Sequence, residues 1–102
     1  MTYRFLSEAR AEFDAATDWY DAQQPGLGDD FIAEGYACVQ RVLAHPQLYG
    51  RVRGCRRGRD IRVGAIDRFA YTIVYEVVGG EIVLLSVPHS RSNSRAWRTR
   101  RP

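Results

Sequence analysis

The fold of this chain is decided by residues 68–87, which read RFAYTIVYEVVGGEIVLLSV. In the first half of the stretch Phe69, Tyr71, Ile73, Tyr75 and Val77 alternate with Ala70, Thr72, Val74 and Glu76. A period of two is typical of a β-strand. Gly79 and Gly80 suit a two-residue hairpin turn, after which Ile82 to Val87 form the returning strand. The stretch therefore predicts an antiparallel strand pair.

Two further strands and a loop are predicted upstream of this pair. Ile61, Val63 and Ala65 alternate with Arg62 and Gly64, which indicates a strand. Residues 46–60 precede it and contain one proline, three glycines and five arginines, so they are expected to form a basic loop. At the N-terminus, Tyr3 to Leu6 is a short alternating stretch and is predicted as a strand.

Two helices are predicted between the N-terminal strand and the basic loop. Ser7 is a suitable N-cap for a helix that runs to about Gln23. The sequence PGLG at residues 25–28 ends it, and Asp29 or a neighbour begins a second helix that ends near His45. The residues expected to face inward are Ala9, Phe13, Ala16 and Tyr20 in the first helix, and Phe31, Gly35, Cys38, Val39, Val42 and Leu43 in the second.

These elements predict one α+β domain over residues 1–102, with an N-terminal strand and a helical hairpin packed on an antiparallel β-sheet. The helical hairpin is needed because such a sheet buries a face only when another layer covers it. A short basic C-terminal segment, Ser90 to Pro102, follows with five arginines and one large apolar residue, Trp97. It is predicted either as a short helix held by Trp97 or as a flexible end.

Charge is distributed unevenly along the chain. Residues 1–50 contain three Arg and eight Asp or Glu, a balance of −5, whereas residues 51–102 contain twelve Arg and four acids, a balance of +8. This asymmetry favours contact between the C-terminal half and an anionic partner, either nucleic acid or an acidic polypeptide. A solvated surface without a partner is the alternative that charge counts leave open.

Composition also excludes several classes of chemistry. All fifteen basic residues are Arg, so lysine Schiff bases and a P-loop lysine are excluded. The two cysteines, Cys38 and Cys55, do not form a zinc-site pattern or a disulfide framework. We expect no metal and no cofactor. No signal peptide or membrane span is visible, so a cytoplasmic protein without membrane contact is expected.

Short motifs spread over most of the chain match the pattern of one known family. They are Ala9, Glu12, Trp19-Tyr20, Gln23, Pro25-Gly26-Leu27-Gly28 and Phe31, then Pro46, then Arg68-Phe69-Ala70-Tyr71 with Ile73 and Tyr75, and finally His89, Arg91, Trp97 and Arg100. In this order they resemble the RelE/ParE toxins of type II toxin–antitoxin systems over residues 3–100. The chain departs from the pattern at Ala70, Ser92, Ser94 and Ala96.

The resemblance implies a growth-inhibiting toxin, of the kind linked to plasmid stabilisation, that a cognate antitoxin neutralises in a hetero-oligomer. Relatives either inhibit DNA gyrase or cleave mRNA on the ribosome. Because Ser92 and Ala96 stand where ribosome-dependent relatives present basic and aromatic groups, a non-enzymatic, gyrase-directed action is favoured. A metal-independent endoribonuclease and an inactive, nucleic-acid-binding relative remain alternatives.

Candidate site residues follow from these hypotheses. A nuclease would use His89 as acid or base, with Arg62, Arg91 and Arg95 supplying positive charge. Trp19, Tyr20, Tyr71 and Tyr75 are expected to be packing residues. The residues expected to contact target or antitoxin are Arg56, Arg57, Arg59, Arg62, Arg91, Arg95, Trp97, Arg98 and Arg100.

Overall fold

The computed structural model of the chain describes residues 1–53, 58–92 and 95–102. Its elements are β1 (Thr2–Phe5), α1 (Ser7–Gln23), α2 (Leu27–Ala44), β2 (Ile61–Ala65), β3 (Thr72–Val78), β4 (Glu81–Ser86) and a short 3₁₀ helix (Ala96–Thr99). The strands form one sheet in the order β1-β4-β3-β2. The predicted α+β architecture is confirmed. None of the described helices is long and apolar enough to cross a bilayer.

The sheet is mixed, because β1 runs parallel to β4 whereas the other two pairings are antiparallel. In the tight hairpin between β3 and β4, Val78 pairs with Glu81 across Gly79 and Gly80, as predicted. β1 adds to the far side of β4, so that β4 becomes a central strand. Five of the six β4 residues are consequently buried, which explains the almost unbroken apolar run in this strand.

The helix boundaries agree with the prediction except at the start of α2, and the residue that caps α1 differs. The prediction that Ser7 caps α1 is wrong: Leu6 occupies the cap position, and the Ser7 hydroxyl donates to Glu8. The reason is that sheet pairing extends to Leu6, whose N–H donates to the Leu84 carbonyl. The second helix, α2, begins at Leu27, two residues before the predicted Asp29.

The main core lies between the helical hairpin and one face of the sheet. It contains the predicted inward residues of both helices, with Tyr20 and Leu43 at its margin. Gly35 lets α2 approach α1, since a Cβ atom there would lie 2.6 Å from the Phe13 ring. Tyr75 lies in the same core, and its hydroxyl donates to the Pro46 carbonyl at 3.1 Å.

A second, smaller core covers the opposite face of the sheet, which the sequence analysis did not anticipate. Its buried members are Ile61, Val74, Val83, Leu85 and Trp97. Because β3 and β4 carry apolar side chains on both faces, a single helical layer would leave half of them in water. The C-terminal segment supplies the missing cover, with Trp97 only 6% exposed. Of the two predictions for this segment, the short helix held by Trp97 is confirmed.

Candidate functional site

Arg59 connects the C-terminal segment to the sheet. Its guanidinium donates to both carboxylate oxygens of Glu76 on β3, at 2.6 and 3.0 Å. The same group donates to the carbonyl oxygens of Arg98 and Arg100, at 3.2 and 3.0 Å. The side chains of Arg59 and Glu76 are 12% and 8% exposed. Arg59 therefore ties the last residues of the chain to the sheet and presents little charge to solvent.

Arg100 joins three parts of the fold at one point. It donates to the Glu12 carboxylate of α1 and to the Leu85 carbonyl of β4, at 2.7 Å in each case. Leu85 lies where the pairing of β3 with β4 shifts by one residue, so Arg100 satisfies a carbonyl at this irregularity. Glu12 also accepts hydrogen bonds from Ser86 Oγ and from the Val87 N–H, both at 2.8 Å.

The Glu12 carboxyl is charged under ordinary conditions because of these contacts. Burial raises its pKa, but the hydrogen bonds from Arg100, Val87 and Ser86, together with the Arg100 charge, outweigh burial. The net pKa lies below the ordinary 4.5. Glu12 and Arg100 thus form a charged pair that links α1 to the end of the chain.

Arg62 is held within the fold rather than presented on the surface. Its Nε lies 2.9 Å from Asp60 Oδ1, and its Nη1 donates to the Tyr49 carbonyl at 2.7 Å. The side chain is 11% exposed. Its charge is therefore compensated by a neighbouring carboxylate.

His89 lies on the surface beyond the end of β4. Its Nδ1 accepts a hydrogen bond from the backbone N–H of Arg91 at 3.1 Å, and its ring lies 5.2 Å from that of Tyr71. His89 forms a β-bridge with Tyr71. Arg62 pairs with Tyr75, which lies four residues after Tyr71 in the chain. At a strand rise of about 3.3 Å, Arg62 and His89 are about 13 Å apart along the strand direction, and they also lie on opposite sides of β3. The structure brings Arg91 beside His89 but does not bring Arg62 there.

The C-terminal segment carries several of the exposed arginines. Arg95, Arg98 and Arg101 are exposed, and the Arg98 guanidinium lies 5.5 Å from the Trp97 ring centroid. No acidic residue follows Glu81 in the sequence. Arg53 is also exposed and follows Val52, which packs against the second core, the cluster that contains Trp97. We call Arg53, Arg95, Arg98 and Arg101 the basic surface.

The nine residues expected to contact a partner therefore fall into different positions. Arg59, Arg62, Arg100 and Trp97 are largely buried and hold the fold together, whereas Arg91, Arg95 and Arg98 are exposed. Arg56 and Arg57 lie outside the described residues, as does Cys55. Cys38 is buried as predicted. Within residues 1–53, 58–92 and 95–102, no cluster of His, Cys, Asp and Glu could hold a metal ion.

Sequence reasoning missed two acids and one tryptophan. Glu76 is an acid in the middle of an otherwise apolar strand, a signal for a buried carboxylate with a cationic partner. Glu12 gave no comparable signal, because an acid on an amphipathic helix is usually solvated. The expectation that Trp19 packs in the core is wrong, since its side chain is 56% exposed.

A family model described as the ParE toxin of the type II toxin–antitoxin system parDE matches residues 3–94. The chain belongs to the ParE toxin family. The match ends before Trp97 and Arg100. The roles of these two residues therefore rest on their contacts in the fold of this ParE-family chain. A search of curated protein sequences found no match.

The fold of this ParE-family chain is also similar to a solved structure. A chain of the "Chromosomal ParDE TA system from P. aeruginosa" superimposes with a TM-score of 0.72 and 21% identity. The superposition covers 87% of this chain and 95% of that one. The similarity supports the RelE/ParE fold that the sequence motifs implied.

Proposed function

We propose that this ParE-family chain is a non-enzymatic toxin that inhibits DNA gyrase, and that a cognate antitoxin neutralises it. The observation that carries this proposal is the basic surface: Arg53, Arg95, Arg98 and Arg101 are exposed in a part of the chain that is rich in arginine and poor in acids. Family membership supplies the toxin class. Gyrase as the target and the cytoplasm as the location belong to the proposal.

The internal arginines explain how a short terminal segment can serve as a binding surface. Arg59 donates to the backbone of the segment, and the Arg100 side chain ties the segment to β4 and α1. Trp97 anchors the segment in the second core. A surface fixed before binding loses little conformational entropy when a partner arrives. The exposed guanidinium groups can then bind carboxylates or phosphates in bidentate fashion.

The antitoxin is proposed to be an acidic segment that orders on binding and covers the basic surface. Such a complex would be a toxin–antitoxin hetero-oligomer. Its stability should fall with added salt, because exposed charge pairs are screened over about 8–10 Å at ordinary ionic strength.

The arrangement supports a nuclease less well. A phosphorane transition state needs uncompensated cations aimed at the developing charge. Arg62 is instead paired with Asp60 and lies far from His89 along β3. Among the candidate cations for a nuclease, Arg91 follows His89 by two residues, and its backbone N–H donates to the His89 ring.

The test is gyrase supercoiling with the purified chain. Replacing Arg95, Arg98 and Arg101 together by Ala should weaken inhibition by at least about tenfold, the equivalent of one lost charged contact. The control is Arg4→Ala, an exposed arginine of β1 that pairs with Glu81, and it should inhibit like the parent chain.

Three results would contradict the proposal. Unimpaired inhibition by the triple variant would exclude the basic surface as the gyrase contact. Cut mRNA ends after induction, with gyrase unaffected, would instead indicate an endoribonuclease, and His89→Ala should then abolish the cuts. Normal growth under firm induction of the folded chain would indicate an inactive, nucleic-acid-binding relative.

A further inference from the structure

A pocket of about 350 Å³ opens on the surface beside the last turns of α1. It is lined by Trp19, Tyr20, Ala70, Tyr71 and His89. Four of these five residues carry rings, and none of the five is an arginine or a carboxylate. A volume near the lower end of the range for ligand sites suits one inserted side chain better than an extended cofactor.

Backbone hydrogen bonds fix the strand side of this aromatic pocket. The Ser90 N–H donates to the Ala70 carbonyl at 2.8 Å, and the Thr72 N–H donates to the Pro88 carbonyl at 3.0 Å. These bonds continue the β3–β4 ladder and hold Tyr71 next to His89. Tyr71 and His89 are thus held side by side by backbone hydrogen bonds just beyond the ends of β3 and β4.

On the helix side of the pocket, part of the apolar surface is not buried by the fold. Tyr20 packs into the core margin against Phe69, with ring centroids 4.8 Å apart. Trp19 contacts Tyr20 edge-to-face at 5.1 Å, but more than half of its side chain remains in solvent. Tryptophan is one of the residue types enriched at the hot spots of binding interfaces.

Two exposed arginines lie close in the sequence to residues that line the pocket. Arg91 is exposed and follows His89 by two residues. Arg68 precedes Ala70 by two residues, and its guanidinium lies 5.7 Å from the Phe69 ring centroid. Arg68 has an acid nearby, since Asp30 Oδ2 lies 3.8 Å from its Nη2, but both side chains are more than half exposed. So long and exposed a pair is weak enough to exchange for another carboxylate.

We infer that the aromatic pocket binds one aromatic or long aliphatic side chain of a partner polypeptide, and that carboxylates flanking that side chain pair with Arg68 and Arg91. The rings select an apolar side chain, and the two arginines select acidic neighbours. This inference rests on the proposed function in one respect, since the acidic partner is taken to be the antitoxin. It adds a second anchor, on the helical side of the molecule, to the contact at the basic surface.

The test uses defined tripeptides and the two indole N–H signals in NMR spectra of the purified ¹⁵N-labelled chain. The probe is Ac-Glu-Phe-Glu-NH₂, compared with Ac-Glu-Ala-Glu-NH₂, Ac-Lys-Phe-Lys-NH₂ and adenosine monophosphate. We expect the probe to shift the Trp19 indole and His89 signals while the buried Trp97 indole serves as an unmoved reference. It should bind at least about fivefold more tightly than each of the other three compounds, the size expected for one ring contact or charged pair.

Variants assign the binding to the pocket. Trp19→Ala should abolish the His89 shift, and Arg91→Gln should weaken binding about threefold or more, as expected for one exposed charge pair. The control is Val78→Ala, because Val78 is another exposed apolar residue, at the tip of the β3–β4 hairpin, and its replacement should leave binding unchanged.

Each alternative result overturns the inference. Equal binding of the Glu-Ala-Glu peptide would show attraction by charge alone. Tighter binding of the Lys-Phe-Lys peptide would indicate a cation pocket, and tighter binding of adenosine monophosphate would indicate a nucleobase site. No shift by any probe would show that the pocket binds no such side chain. Because no gyrase is present, these outcomes are independent of the gyrase assay.

Discussion

Replacing Trp97 by Ala should destabilise the protein strongly, although Trp97 lies only five residues from the C-terminus. The side chain is 6% exposed and packs in the second core against strands β2, β3 and β4. Truncating a buried tryptophan to alanine costs about 3–5 kcal/mol. A domain of this size has a free energy of unfolding of about 5–15 kcal/mol. The substitution should therefore remove about a fifth or more of the total stability.

The measurement is urea denaturation followed by far-ultraviolet circular dichroism, together with thermal unfolding. At about 4 °C per kcal/mol for a domain near 100 residues, Trp97→Ala should lower the Tm by about 12 °C or more. Circular dichroism is preferred because tryptophan fluorescence would change with the substitution itself.

The chain contains its own matched control in Trp19. Trp19→Ala removes the same atoms from a side chain that is 56% exposed and contacts Tyr20 at its edge. It should cost no more than about 1 kcal/mol. If the two variants lost equal stability, or if Trp97→Ala unfolded like the parent chain, the C-terminal segment would not be a structural cover for the sheet. The basic surface would then not be held in a fixed position before a partner binds.

Three further predictions concern ionisable groups that are buried or half-buried in the fold. Glu76→Gln breaks a buried ion pair and should lower the free energy of unfolding in urea by about 3–5 kcal/mol. The control is Glu81→Gln, in the exposed pair with Arg4, which should cost less than about 1 kcal/mol. Similar losses in the two variants would contradict the structural role of the Arg59–Glu76 pair. The lowered pKa of Glu12 means that its contribution to stability is present above pH 4.5 and is lost as the pH falls through the folded-state pKa. Glu12→Gln should therefore flatten the decline of Tm with acid, and an unchanged decline would refute the role of the pair. Burial raises the pKa of Tyr75 to about 12, so ultraviolet titration should show one tyrosine ionising near that pH, and Tyr75→Phe should remove that step.

Local pattern in the sequence was sufficient for the secondary structure and for the main core. The alternation in β3, the glycine pair of the hairpin and the helical spacing in α1 and α2 each report which side of an element is apolar. That information is carried by residues close together in the chain, so it can be read without knowing the fold. The family resemblance was readable for the same reason, because its motifs are short and follow a fixed order.

The use of each arginine was decided only by the tertiary structure. Arg59, Arg62, Arg98 and Arg100 look alike in the sequence, but three of them are buried in ion pairs and Arg98 is exposed. Whether a guanidinium is free depends on a carboxylate that the fold brings near it. For Arg100 that carboxylate is on Glu12, 88 residues away.

The same reason applies to the parts of the fold that the sequence left open or predicted wrongly. β1 pairs with a strand about 80 residues later, Trp97 closes a face of the sheet, and Trp19 borders a pocket completed by His89. A periodic pattern shows that a helix or strand has an apolar side to bury, but it does not show which distant element will cover that side. In this protein the sequence determined the elements and their apolar faces, and the packing between distant segments determined which charges and rings remain available to a partner.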